Sequence, residues 1–140
     1  MTEIDLQAQV ADYIRLRYPN VLFHSDFGSG IKLTPGQARK QKRLQGGRRA
    51  WPDMFIAEVR AVMHPEVKVK WLRFGLFIEL KKEGTRIFTK KGPLVADGHI
   101  REQFDMLEEL KQRGYEAHFA CGFDEAKKII DDYLTSDEDL

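Results

Sequence analysis

Leu76-Phe77-Ile78-Glu79-Leu80-Lys81 decides how the rest of the chain is read. In an extended strand successive side chains point to opposite faces, so Leu76, Ile78 and Leu80 share one face while Phe77, Glu79 and Lys81 share the other. Up to Leu80 the stretch is apolar on both faces apart from one carboxylate. That is the pattern of a central strand covered on both sides. A lone carboxylate in such a strand is expensive to bury unless it is paired or holds a cation. Lys81 follows on the same face, so a carboxylate and an ammonium stand side by side.

Working outward, this strand is expected over residues 71–81 and a second over residues 53–60, with His64-Pro65 in the connection between them. The two read as an antiparallel pair. Pro52 heads the first strand, a position where proline is tolerated and fixes the entry of the chain. Antiparallel pairing lays the start of one strand beside the end of the other, so Asp53 falls near Glu79. Two hard oxygen ligands then face one cation. Mg2+ suits such a site because it takes one or two carboxylates and keeps water and phosphate oxygens for its other positions. Lys81 would position water or offset charge on phosphate. Taken singly, a Pro-Asp dipeptide is usually a turn and Glu-x-Lys usually a surface pair; it is their order and flanks that carry weight.

The flanking segments supply helices. Thr2 and Asp5 have the spacing of a capping box, and Leu6, Val10 and Tyr13 or Ile14 repeat at helical spacing until Pro19-Asn20. Glu3 and Gln7 sit one turn apart on that helix. Residues 21–24 read as a short strand, and residues 25–50 as a loop with a helical piece over 35–44. Residues 86–95 suit a small hairpin turning at Lys91-Gly92-Pro93. A helix over 99–113 would turn Ile100, Phe104, Leu107 and Leu110 inward and stop at Gly114. Residues 115–121 form a strand, and Asp124 is expected to cap a last helix buried through Ala126, Ile129, Ile130, Tyr133 and Leu134. The reading is one α/β domain over residues 1–134, ordered α-β-β-β-α-β-α, with a mixed central sheet flanked by helices and an acidic tail over 135–140.

The net charge of +1 hides a strong asymmetry. Residues 27–96 carry sixteen basic and five acidic groups, whereas residues 97–140 carry five basic and thirteen acidic. Between Phe27 and Pro52 there is no acid, against Lys32, Arg39, Lys40, Lys42, Arg43, Arg48 and Arg49. Such a segment attracts polyanions, nucleic-acid phosphate foremost, and would deliver DNA to the cation; the plainer reading is a solvated loop that balances the acidic end. The single cysteine, Cys121, excludes an intrachain disulfide and an all-cysteine zinc site. With no secretory signal at the N-terminus and no membrane-spanning apolar run, a reducing, cytoplasmic setting is expected. No phosphate-loop motif is present, so no nucleotide cofactor is expected. The four histidines show no metal-ligand spacing. Trp51 and Trp71 could stack on bases, but burial beside the strands is the better expectation.

Gly47, Pro52-Asp53, Gly75 to Lys81, Gln103, Gly114-Tyr115, Gly122-Phe123-Asp124-Glu125-Ala126 and Tyr133-Leu134, in that order, resemble a VRR-NUC domain, the virus-type replication–repair nuclease branch of the PD-(D/E)xK superfamily. The chain looks like the compact stand-alone phage or bacterial form. The resemblance implies a restriction-endonuclease-like core and a metal-dependent endodeoxyribonuclease of the Holliday-junction-resolvase kind, acting as a homodimer on branched DNA in replication, recombination or repair. It implies that Asp53 and Glu79, with the Leu80 carbonyl, bind Mg2+ (or Mn2+ as a substitute) and that Lys81 orients the attacking water. Glu3 would act through the metal's water shell, and Gln103 would complete the site. An insertion between Lys82 and Ile100, carrying Arg86, Lys90 and Lys91, sets this chain apart from the shortest members. Two readings of other classes remain: a non-catalytic nucleic-acid-binding accessory protein, which needs neither Asp53 nor Glu79 and Lys81, and a purely structural α/β adaptor.

Overall fold

The computed structural model describes residues 2–26 and 32–136. Its first element starts where the capping box predicts. Asp5 N donates to the Thr2 hydroxyl at 3.1 Å and Thr2 N to the Asp5 carboxylate at 3.0 Å, opening α1 (Glu3–Arg17). There follow β1 (Phe23–Ser25), α2 (Pro35–Leu44), β2 (Met54–Ile56), β3 (Arg60–Met63), β4 (Lys70–Arg73), β5 (Leu76–Lys81), α3 (Gly98–Gln112), β6 (Glu116–Cys121) and α4 (Phe123–Leu134). The main sheet has the order β1-β2-β5-β6. Its β5–β6 pair is parallel and the other two pairs are antiparallel, so the sheet is mixed, as expected.

The alternation in β5 sorts the core. Leu76, Ile78 and Leu80 join Met54 and Ile56 in a cluster with Leu6, Val10 and Ile14 of α1 and Ala126, Ile130, Tyr133 and Leu134 of α4. Phe77 packs instead with Met106, Leu107 and Leu110 of α3. Helices thus cover both faces of β5. Burying one such aliphatic side chain contributes about 1.5–3 kcal/mol. That gain offsets the cost of the charged groups that the same strands bury.

The two long strands expected at 53–60 and 71–81 are each broken in two. β2 and β5 belong to the main sheet, whereas β3 and β4 form a separate two-stranded sheet. Two contacts account for the break. The Tyr133 hydroxyl donates its proton to the Glu58 carbonyl at 2.5 Å and stands 3.3 Å from the Arg73 carbonyl, holding both strands at the bend. Opposite, a Cβ at Gly75 would stand 2.5 Å from Phe55 Cε1 and 3.0 Å from the Ile56 carbonyl, so only glycine lets the strands close here. Arg73, 3% exposed, fixes the hairpin to the body. It pairs with Glu116 at 3.2 Å, donates to the carbonyls of Lys111 and Tyr115, and lies over the Trp71 ring.

Other boundaries need correction. Gly122, with φ +90°, caps α4, and Asp124 lies inside its first turn rather than at the cap. On α3 the residues turned inward are Ile100, Gln103, Met106, Leu107 and Leu110, while Phe104 is half-buried and packs edge-on against Phe88. The hairpin expected over 86–95 is reduced to one bridge between Phe88 and Leu94. Trp51 is exposed, not buried. The acidic tail lies outside the described residues from 137 onward. Among the described residues no helix is long and apolar enough to cross a membrane.

Candidate active site

β5 outruns its neighbour. The last β2–β5 pair is Met54 with Ile78, so Glu79, Leu80 and Lys81 continue past the end of β2. Asp53 fills the gap: its carboxylate accepts a hydrogen bond from Leu80 N at 2.7 Å. Within a strand the N–H and C=O of one residue face the same edge, and alternate residues face opposite edges. Gly75 and Lys81 send their carbonyls to Glu116 N and Gly122 N on the β6 side. The Leu80 carbonyl therefore faces the Asp53 side.

Glu79 points to the α3 face and is 4% exposed. It accepts a hydrogen bond from Gln103 Nε2 at 2.7 Å, and Lys81 Nζ stands 4.0 Å from the same oxygen. Asp53, Lys81 and Gln103 are buried as well. The structure thus brings together four of the five catalytic candidates. Glu3 stays apart: it is exposed at the start of α1 and reaches Glu79 through its charge alone. Gln7, one turn on, is the inward residue of that face and donates to the Ser25 hydroxyl and, at 2.6 Å, to the Asp26 carbonyl.

Burial pushes Glu79 up from its ordinary value to about 9; the neighbouring Asp53 charge and a hydrogen bond with Asp53 add to the rise, and Lys81 opposes it. Two carboxylates side by side in a dry place must share a proton or share a cation. This sets a stability prediction. A carboxyl whose folded pKa exceeds its unfolded one holds its proton more tightly in the folded state, so stability falls as pH rises between 4.5 and about 9. Glu79→Gln removes that dependence. In chelating buffer its melting temperature is expected to gain on the parent's steadily across this window and to exceed it at the alkaline end; a difference between the two that does not grow with pH would contradict the burial argument.

The donor set fits a hard divalent cation. It offers two carboxylates and a carbonyl turned to the same edge, and the Gln103 Oε1 atom is buried there without a partner. Among the described residues no group of three or more His, Cys, Asp or Glu is arranged to hold a metal.

A cleft of about 250 Å³ opens onto Asp53 and Glu79, and Asp26, Arg49, Trp51 and His99 are among the residues at its walls. Asp26, Trp51 and His99 were not assigned to the site from sequence. Asp26 follows β1, and its N–H binds the Asp53 carbonyl at 2.8 Å, so the β1–β2 register carries it beside Asp53. The legible signal was an acid at a strand's end, just before an acid-free stretch. His99 contacts Gln103 Nε2 at 3.2 Å, one helical turn away.

The cleft is also lined by Gln41 of α2 and by Gln45 just after that helix. Helix α2 buries no residue, so packing does not hold it; a capping box between Thr34 and Gln37 and a proline in its first turn do. Arg39, Lys40, Lys42 and Arg43 lie along it, with Lys32 before it and Arg49 after it, and none of the six is buried. Arg48 is engaged within the chain, paired with Glu109 of α3.

No protein-family model matches the chain, and no curated protein matches it. A solved structure described as a VRR_NUC domain protein does: the two chains share 25% identity with a TM-score of 0.60, over 97% of this chain and 90% of that one.

Proposed function

We propose that this chain, a VRR-NUC domain and so a nuclease-family domain, is a Mg2+-dependent DNA endonuclease. One observation carries the reading: Asp53 and Glu79 are buried side by side on a cleft bordered by a solvent-facing basic helix, and Lys81 is buried behind them, 4.0 Å from Glu79. A structural ion pair would need neither the second carboxylate nor the cleft. An accessory DNA-binding protein would need neither carboxylate.

Asp53 and Glu79, with the Leu80 carbonyl, would hold the cation, which supplies Lewis acidity at a phosphate oxygen. The residues do the rest. Gln103 fixes the Glu79 carboxylate through its amide, leaving its carbonyl oxygen able to accept from water. Lys81, confined beside Glu79, orients the attacking water and offsets charge that grows on the phosphate. Burial keeps both groups strongly interacting. Bases on and around α2 hold the flanking backbone.

The substrate we favour is branched DNA of the junction type, cut by a homodimer working in the cytoplasm. A junction has paired strands to cut, one chain supplies one site, and two-fold symmetry is the commonest closed assembly. The second sheet supports the assembly. Met63 and Leu72 on its strands, and Val59, Val67, Val69 and Phe74 around them, are all more than half exposed. Of the other apolar residues in this region, Val62 is buried and Ala61 and Trp71 are half-buried, packed within the chain. Sedimentation equilibrium at micromolar concentration is expected to give twice 16.3 kDa. A monomer mass that persists with junction DNA would rule the dimer out. Substrate choice is tested by incubating the protein with a four-way junction, a flap, a nicked duplex and a linear duplex, with and without Mg2+. Faster cutting of the linear duplex would contradict the junction assignment.

A further inference from the structure

Trp51 is 40% exposed, although it immediately precedes the buried Pro52 and Asp53. Its ring is not loose. The indole N–H donates to the Gln45 carbonyl at 3.2 Å, and the ring centroid lies 6.4 Å from that of Phe77. Phe77 stacks on Phe55 at 4.4 Å and meets Tyr115 edge-on, so an aromatic row runs across the α3 face of the sheet and ends in an exposed indole at the wall of the cleft. The chain is held in place behind it: Ala50 adopts φ +65°, a conformation costly for a residue with a Cβ. The molecule's other tryptophan behaves differently, since Trp71 is half-buried between Arg73 and His64, outside the cleft.

An anchored, half-exposed indole beside Arg49 and a basic helix has the chemistry of a base-stacking surface. Every nucleobase offers a π face, and cationic groups nearby hold the backbone. A base within an intact duplex has both faces occupied by its neighbours, so only an unstacked base can use the ring. We infer that Trp51 is a stacking platform for one unstacked nucleotide, which makes it a specificity-determining residue that favours DNA with an unpaired or splayed base next to the scissile phosphate. This rests on the reading of the cleft as a DNA site.

The test is equilibrium binding in chelating buffer, with no cleavage required. The full chain is titrated with a short oligothymidylate and with a duplex of the same length. Trp51→Leu keeps an apolar contact on Phe77 but removes the aromatic face; Trp51→Phe keeps a face. Trp51→Leu is expected to bind the single strand about tenfold more weakly while its duplex affinity is unchanged, with Trp51→Phe close to the parent on both. Unchanged single-strand affinity in Trp51→Leu would overturn the inference. So would an equal loss on both ligands, which would mark a packing role. The nuclease reading fails separately: if Mg2+ brings no cleavage but the Trp51 effect on binding persists, that reading falls and the stacking platform stands.

Discussion

Asp53→Ala, Glu79→Ala and Lys81→Ala are each expected to reduce DNA cleavage by about a thousandfold or more while leaving much of the binding intact. The three act at one place for different reasons. Removing either carboxylate takes away one of the two charged cation ligands and leaves a single carboxylate with the Leu80 carbonyl. Removing the lysine takes away the ammonium that stands beside Glu79 at 4.0 Å. Effects on folding should be small by comparison. Asp53→Ala leaves the Leu80 N–H without its acceptor at a cost of about 1–3 kcal/mol. Glu79→Ala removes a carboxylate whose burial the fold does not favour. Single-turnover cleavage, read beside thermal melting, separates lost chemistry from lost structure. Undiminished cleavage by the Glu79 variant would sink the assignment.

The second large effect is electrostatic. Replacing Arg39, Lys40, Lys42 and Arg43 together with glutamine is expected to weaken DNA binding across all sequences and flatten its salt dependence. Every phosphate that goes unneutralised should lower the log–log slope by ~0.9, so four of them would remove roughly 3–4 units. Folding should be undisturbed, because α2 buries nothing and its capping box lies outside the substituted positions. Glutamine is also a good helix former. Arg48 is left out because it already pairs with Glu109. A slope unchanged within error would show that α2 does not touch DNA.

Much of this molecule was legible in the sequence because its decisive stretches are strongly patterned. The alternation through Leu76–Lys81 identified the central strand and put Glu79 and Lys81 on one face. Thr2 with Asp5 marked the start of α1 to the residue, and the helical piece over 35–44 matches α2. What escaped depends on distant contacts. No local signal tells that the Tyr133 hydroxyl will clamp Glu58 and Arg73 and so split two long strands. Asp124 carries good capping chemistry, yet the backbone turns earlier, at Gly122. Composition favours burying Trp51, but the chain that presents it turns through Gly46, Gly47 and Ala50, all at positive φ. Asp26 and His99 reached the cleft through strand register and helix phase, neither of which a single residue type reveals.

The most direct measurement is single-turnover cleavage of a labelled DNA junction by the parent chain and by Glu79→Gln, with Mg2+ titrated from zero under otherwise identical conditions. Glutamine keeps the shape of the side chain and can still hydrogen-bond with Gln103, but it carries no charge for a cation. If Asp53, Glu79 and Lys81 form a metal-dependent hydrolytic site, the parent cuts only when Mg2+ is present, and Glu79→Gln, fully folded, does not cut at any Mg2+ concentration. Cleavage by the parent in chelating buffer, or equal cleavage by Glu79→Gln, would contradict that account.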